Sequence, residues 1–278
     1  MRYLLYNPIS GLGAAKTLAE NYQVTLSEDA KLIDMTNAEV MASFFEELCA
    51  ENPIVLFGGD GTLNCFLNAA RDKELQNEIY LFGAGTGNDF CLDIGKAVHS
   101  EPILISEYTK NLPTVTVKGE ERVFINGIGF GIDGYCCEVG DIVRKSGKKP
   151  NYTSIAISGL LFHFKPRDAV VTVDGVRYGF KKVWIAPTMY GSHYGGGMIP
   201  TPDQKRGGDT LSLMVFHGSG RLKTLTIFPG IFKGEHVKAT KHVTILTGKE
   251  ITVRFDRPTP LQIDGETVLD VTEYTCKI

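Results

Sequence analysis

The segment Phe57-Gly58-Gly59-Asp60-Gly61-Thr62 constrains this chain more than any other stretch. The apolar run over 53–57 reads as a buried strand of a parallel sheet, and 63–70 as a short amphipathic helix. Three glycines around one aspartate at the carboxyl end of such a strand let the backbone approach a ligand. The helix that follows aims free N–H groups at an anion. Phosphate is held that way, and the central carboxylate suggests a metal or a hydroxyl nearby. A tight strand-to-helix turn with an incidental aspartate is the plain alternative, since glycine is common at such turns.

The same texture runs through the first hundred or so residues. Strands are expected at 2–6, 30–34, 54–57 and 78–82, and helices at 14–21 and 38–50. The second helix carries Val40, Phe44, Phe45 and Leu48 along one face. This order predicts a parallel sheet with helices on both faces, binding ligands beyond the carboxyl ends of its strands. The glycine-rich segments 7–13, 58–62 and 83–88 all fall at such ends.

From about residue 113 short β-branched runs recur between turn residues, and Asp174-Gly175 is a strong hairpin signal. An antiparallel sandwich is expected there, interrupted by one helix over 152–164. The expected fold is α/β plus β. An α/β nucleotide-binding domain with a parallel sheet spans 1–115, and a mainly antiparallel β-sandwich domain that takes the substrate spans 116–278. A cleft between two such domains is the natural place for an active site.

A net charge of −3 over 278 residues argues against broad electrostatic binding of nucleic acid. The six cysteines form no CxxC pair, and most lie in apolar runs, which suits a reduced cytosolic setting. The first residues lack signal-peptide architecture, and 152–164 is too short to span a bilayer. A cytoplasmic protein is expected, at most peripheral on the inner face of the membrane. The histidines show no HxxxH or HExxH spacing for a catalytic metal.

The first loop, Asn7-Pro8-Ile9-Ser10-Gly11-Leu12-Gly13, offers an amide, a hydroxyl and two glycines; a plain β-to-α turn explains it equally well. In Gly83-Ala84-Gly85-Thr86-Gly87-Asn88-Asp89-Phe90, Thr86 and Asn88 can cap the next helix. Two such loops bearing Asp60 and Asp89 at neighbouring strand ends suit a shared triphosphate and Mg²⁺, which takes a few carboxylates plus phosphate oxygens.

NPISG, GGDGTLN and GTGNDF, in that order, resemble the diacylglycerol kinase catalytic domain of bacterial lipid kinases and sphingosine kinases. The likeness continues in the FxNxxGxGxD-like segment 124–133, the glycine turn 195–198 followed by Pro202, the GxH-like segment 232–236, and Gln262-Ile263-Asp264-Gly265-Glu266. It implies transfer of phosphate from ATP to a lipid hydroxyl, diacylglycerol-like, with Mg²⁺. The lipid acceptor at a membrane surface is the implied partner, and a homodimer is compatible.

By that resemblance Asp264 is the base and Asp60 lies by the phosphates and their Mg²⁺. Asn7, Gly58, Gly59, Gly61, Thr62, Gly85, Thr86, Asn88, Asp89 and Glu266 hold nucleotide. Asp209, with the carbonyls of Arg206 and Leu211, is the counterpart of a structural Mg²⁺ site. Read alone, Asp264-Gly265 is a hairpin turn, the commonest such signal. The family often has an arginine after GTxNDF where this chain has Cys91-Leu92. Two other readings compete. NAD kinases also carry GGDGT, although the GTGNDF segment and the missing NE dipeptide after it argue against them, and a protein that binds nucleotide or lipid without catalysis is the other. Arg144 and Lys145–Lys149 read as a solvated loop or, next to 152–164, as a contact for an anionic bilayer.

Overall fold

Every position of Ile54–Gly58 is buried, and a strand with no exposed face needs cover on both sides of its sheet. The computed structural model describes residues 1–85, 87–96 and 101–278. The chain divides into two compact units, Met1–Asn111 and Leu112–Ile278.

The first unit runs β1 (Arg2–Tyr6), α1 (Ala14–Thr25), β2 (Ala30–Asp34), α2 (Ala38–Glu46), β3 (Ile54–Gly58), α3 (Asp60–Ala69), β4 (Ile79–Gly83), α4 (Asp89–Asp93) and β5 (Ile103–Leu104). The sheet order is β2-β1-β3-β4-β5. The first four strands are parallel, as expected; the two-residue β5 is added antiparallel to β4 and makes the sheet mixed. Asn37 caps α2, its Oδ1 accepting from the N–H groups of Glu39 and Val40. That helix stops at Glu46, before the expected 50, and buries Met41 and Phe44 while Val40 stays exposed.

The second unit runs β6 (Thr114–Val117), β7 (Glu120–Val123), β8 (Gly127–Gly131), α5 (Ile132–Lys145), α6 (Tyr152–Ser158) and a π-helical turn (Gly159–His163). It continues with β9 (Arg167–Val173), β10 (Val176–Val183), β11 (Ile185–Met189), β12 (Leu211–Phe216), α7 (Arg221–Ile227), β13 (Val243–Gly248), β14 (Glu250–Ile263) and β15 (Glu266–Lys277). Its strands pair antiparallel along the order β13-β12-β11-β8-β14-β15-β6-β7, with β9 on β14 and β10 on β9.

The long strand β14 makes this arrangement. Its first half pairs with β9 and its last residues with β8, and the register slips between Arg254 and Leu261, around Pro258 and Pro260. Proline has no N–H for a ladder, so pairing breaks where the strand changes partner. The sheet folds over a core in which Phe130 packs on Phe255 and Tyr274 with ring centroids 4.7 and 5.2 Å apart. Thr114–Val117 pairs with the C-terminal strand β15, which is why the second unit begins before the 115/116 division read from the sequence.

Helix α5 was not expected. Gly134 and Gly140 weaken its helical signal, but both are packing positions. A Cβ on Gly134 would lie 2.0 Å from the Pro260 carbonyl oxygen, and one on Gly140 2.7 Å from the Tyr152 ring. The expected helix over 152–164 is α6 followed by the π turn. Among the described residues no helix is long and apolar enough to cross a membrane.

Candidate active site

Three loops meet beyond the carboxyl ends of β1, β3 and β4. Ser10 Oγ and Thr62 Oγ1 hydrogen-bond at 2.7 Å, tying the first loop to α3. A Cβ on Gly59 would sit 2.7 Å from Gly85 Cα, so these two loops touch backbone to backbone and only glycine permits the approach. Gly58 lies as tightly against the Thr62 side chain. Gly61 instead has open space where a side chain would be. Helix α3 has no side-chain cap, which leaves its first-turn amides for an anion.

Asp60 performs a task the sequence did not disclose. Its Oδ2 accepts from Asp89 N–H at 3.0 Å and its Oδ1 from Phe90 N–H at 2.9 Å. The carboxylate from one loop therefore caps the helix of the next, fixing GGDGT to GTGNDF. Asn88, at the N-cap position of α4, makes no side-chain cap and so corrects the expected role. It adopts φ 50° and donates from Nδ2 to the Gly85 carbonyl at 2.8 Å. Its Oδ1 is buried beside Gly59 and Gly85 with no hydrogen-bond partner among the described residues. A lone acceptor there suits a hydroxyl or amino hydrogen of a nucleotide, rather than a phosphate oxygen.

The Thr62 side chain is 1% exposed and its hydroxyl hydrogen-bonds Ser10, so it braces the loops. Asn7 Oδ1 accepts from Ile9 N–H at 3.1 Å and shapes its own loop. Asp89 is buried. A Cβ on Gly87 would lie 3.4 Å from Asp89 Oδ2 and 3.7 Å from Asp60 Oδ2, so both carboxylates border that glycine. Thr86 lies outside the described residues. Burial, with some help from the Asp60 charge, pushes the Cys91 thiol up to about 11, so it is inert.

In the second unit Asp264 sits at φ 47° in the turn between β14 and β15, with Gly265 at φ 89°. The hairpin turn read from Asp264-Gly265 is thus present. Asp264 Oδ2 accepts from Ile125 N–H at 2.6 Å, and Oδ1 from Asn126 and Gly127 N–H at 2.8 and 3.0 Å. Its own N–H returns to the Gly127 carbonyl at 3.0 Å. Three backbone donors hold the carboxyl group in one orientation. Glu266 is exposed and faces Arg122 Nη1 at 3.6 Å.

The Asp209 site takes a different form from the one expected. Its exposed carboxylate faces Lys249 Nζ at 3.1 Å, which lowers its pKa from the ordinary carboxylate value. A cation would have to displace that ammonium. Arg206 contributes its side chain: Nη1 donates to the Ile125 carbonyl, Nη2 donates to Asn126 Oδ1 at 2.8 Å, and the guanidinium lies over Tyr190 at 5.3 Å. Leu211 is buried at the start of β12. Among the described residues no group of three His, Cys, Asp or Glu side chains could hold a metal.

Asp133, the last residue of the FxNxxGxGxD-like segment, was given no role in the sequence reading. It is buried at the start of α5, with Gly134 N–H on Oδ1 at 2.8 Å and Tyr194 Oη 3.4 Å from Oδ2. Burial pushes its carboxyl up to about 7. A buried acid two residues after a β-strand leaves no signal in local periodicity.

The diacylglycerol kinase catalytic domain matches residues 2–115, and the YegS C-terminal NAD kinase beta sandwich-like domain matches 126–275. The chain is 24% identical over 266 residues to a diacylglycerol kinase of Mycobacterium tuberculosis, covering 91% of this chain and 84% of that protein. A diacylglycerol kinase crystal structure from Bacillus anthracis superposes with a TM-score of 0.64 at 18% identity, over 99% of this chain and 92% of that one. Two domain models in tandem over the loops just described place the chain in the diacylglycerol kinase family of lipid kinases.

Proposed function

We propose that this protein transfers the γ-phosphate of ATP to the hydroxyl of a diacylglycerol-like lipid. The observation that carries this reading is the trio of loops locked by Asp60 and by the Ser10–Thr62 hydrogen bond, with the uncapped first turn of α3 open beside Gly61. Backbone amides at a helix N-terminus favour phosphate oxygens by charge and direction. Asn88 Oδ1 would accept a hydrogen from the nucleoside part.

Asp264 acts on the acceptor. The three amides on its two oxygens fix the direction in which this carboxylate would meet an acceptor hydroxyl. Phosphoryl transfer proceeds through a loose transition state in which positioning matters more than strong basicity. Asp264 therefore aims the acceptor and receives its proton late. Mg²⁺ fits the hard oxygens of Asp60 and Asp89, and when bound with ATP it would offset phosphate charge. Asp60 retains lone pairs for it beyond those given to the two amides.

The test is transfer from radiolabelled ATP to a lipid panel in mixed micelles, beside NAD, with wild type and Asp264→Asn. Label in one lipid is expected, with the variant slower by about 10²–10⁴-fold. Label in NAD instead would replace the lipid reading with an NAD kinase one. Bound ATP without label in any lipid would favour a binding protein.

A further inference from the structure

We propose that Gln262 is a positioning residue: it ties the turn that carries Asp264 to the buried Asp133, so that the state of that acid sets how the turn is held. The inference deepens the kinase reading and rests on it for the task of Asp264.

Strand register brings the two side chains together. Gln262 pairs with Gly129 across β14 and β8, and opposite residues of an antiparallel pair project from the same face. A side chain on Gly129 would lie 2.4 Å from Asp133 Oδ2, so its absence leaves the room that the carboxyl fills. Gln262 and Asp133 therefore share the space over one glycine, and the Gln262 amide is among the groups that favour the ionised acid. Gln262 is 3% exposed and Asp133 7%. A polar group buried to that degree has little water to replace a lost partner.

The same amide works on the turn. Gln262 Oε1 accepts from Gly265 N–H at 2.9 Å, which fixes that end of the amide as the oxygen. Nε2 donates to the Gly127 carbonyl at 3.4 Å, and that carbonyl also accepts from Asp264 N–H at 3.0 Å. One side chain thus bonds the residue after Asp264 and the acceptor of Asp264's own N–H.

As a carboxylate Asp133 only accepts, which suits Gly134 N–H, the Tyr194 hydroxyl and an amide hydrogen of Gln262. Once protonated it also donates, and it then competes with Gly265 N–H for the amide oxygen. Burial holds this carboxyl at about 7, so both forms are populated near neutrality. The other titratable groups around it stay uncharged there. Burial pushes up the thiols of Cys136 and Cys137 on α5 and the hydroxyls of Tyr194, beyond β11, and Tyr274 on β15. The ionised acid leaves the amide oxygen to the turn, so kcat rises as pH climbs through about 7.

The experiment pairs kinetics with nuclear magnetic resonance on the full chain. In the lipid assay, Asp133→Asn should flatten the rise of kcat near pH 7. Gln262→Leu, shown to be folded by thermal melt, should lower kcat about tenfold or more with KM for ATP unchanged. Gln262→Glu keeps an oxygen for Gly265 and sets a second carboxyl beside Asp133, so the rise should move to higher pH. The Gly265 amide resonance, recorded without ATP or lipid, should titrate with the same midpoint in wild type and not in Asp133→Asn. A Gly265 amide that ignores pH in this range, or follows it equally in Asp133→Asn, would overturn the coupling. Wild-type kcat in folded Gln262→Leu would overturn the positioning role, and so would an unmoved rise in Gln262→Glu if the leucine variant does not fold. Because the resonance needs no phosphoryl transfer, failure of this coupling and failure of the kinase reading are separable.

Discussion

Arg206 holds the segment that holds Asp264. Its guanidinium bonds the Ile125 carbonyl and Asn126 Oδ1, while the N–H groups of Ile125 and Asn126 bond the Asp264 carboxylate. The main chain at 125–126 is thus gripped from both sides. A fork that meets two acceptors at once is a geometric device that a lysine point charge does not reproduce. Arg206→Met should lower kcat by about 10²-fold, the cost of a small misplacement at the reacting group. Arg206→Lys should recover little of it. Full recovery by lysine would mean that charge alone matters; wild-type kcat in Arg206→Met would remove the positioning role. None of this was legible locally, since the partners stand 80 and 81 residues apart. The sequence pointed to Arg206 only for its carbonyl.

At the scale of elements, the strand-end loops of the first unit were legible because glycine runs and buried strands are local signals. The capping of α4 by Asp60 was not, because it crosses 29 and 30 positions. Helix α5 was missed for a related reason: its glycines serve neighbours rather than its own propensity. Gly134 faces the carbonyl of Pro260, where β14 changes partner before reaching Asp264. Gly134→Ala gains up to about 1 kcal/mol of helix propensity. Its Cβ would meet that carbonyl at 2.0 Å, and overpacking of this kind costs roughly 1–3 kcal/mol or more. Net destabilisation in urea unfolding is expected. A variant as stable as wild type would show that α5 can shift away from β14 at no cost.

For the whole molecule, the buried Asp133 couples folding to pH. Its carboxyl is raised from 3.8 to about 7 by burial, against the favourable hydrogen bonds from Gly134 and Tyr194. Between those two values the folded state binds more protons than the unfolded chain, so stability falls as pH rises. This contribution is complete below pH ~4 and is lost as pH climbs through ~7. A shift of this size corresponds to on the order of 4 kcal/mol, since each unit is about 1.4 kcal/mol. Asp133→Asn keeps the shape and cannot ionise. In urea titrations from acid to mildly alkaline pH, wild type should lose stability relative to Asp133→Asn across this window, with the gap flat outside it. A gap that is constant with pH would mean that Asp133 keeps an ordinary acidity. The buried carboxylate would then be held by partners as an anion, and the fold would owe its pH response to its surface.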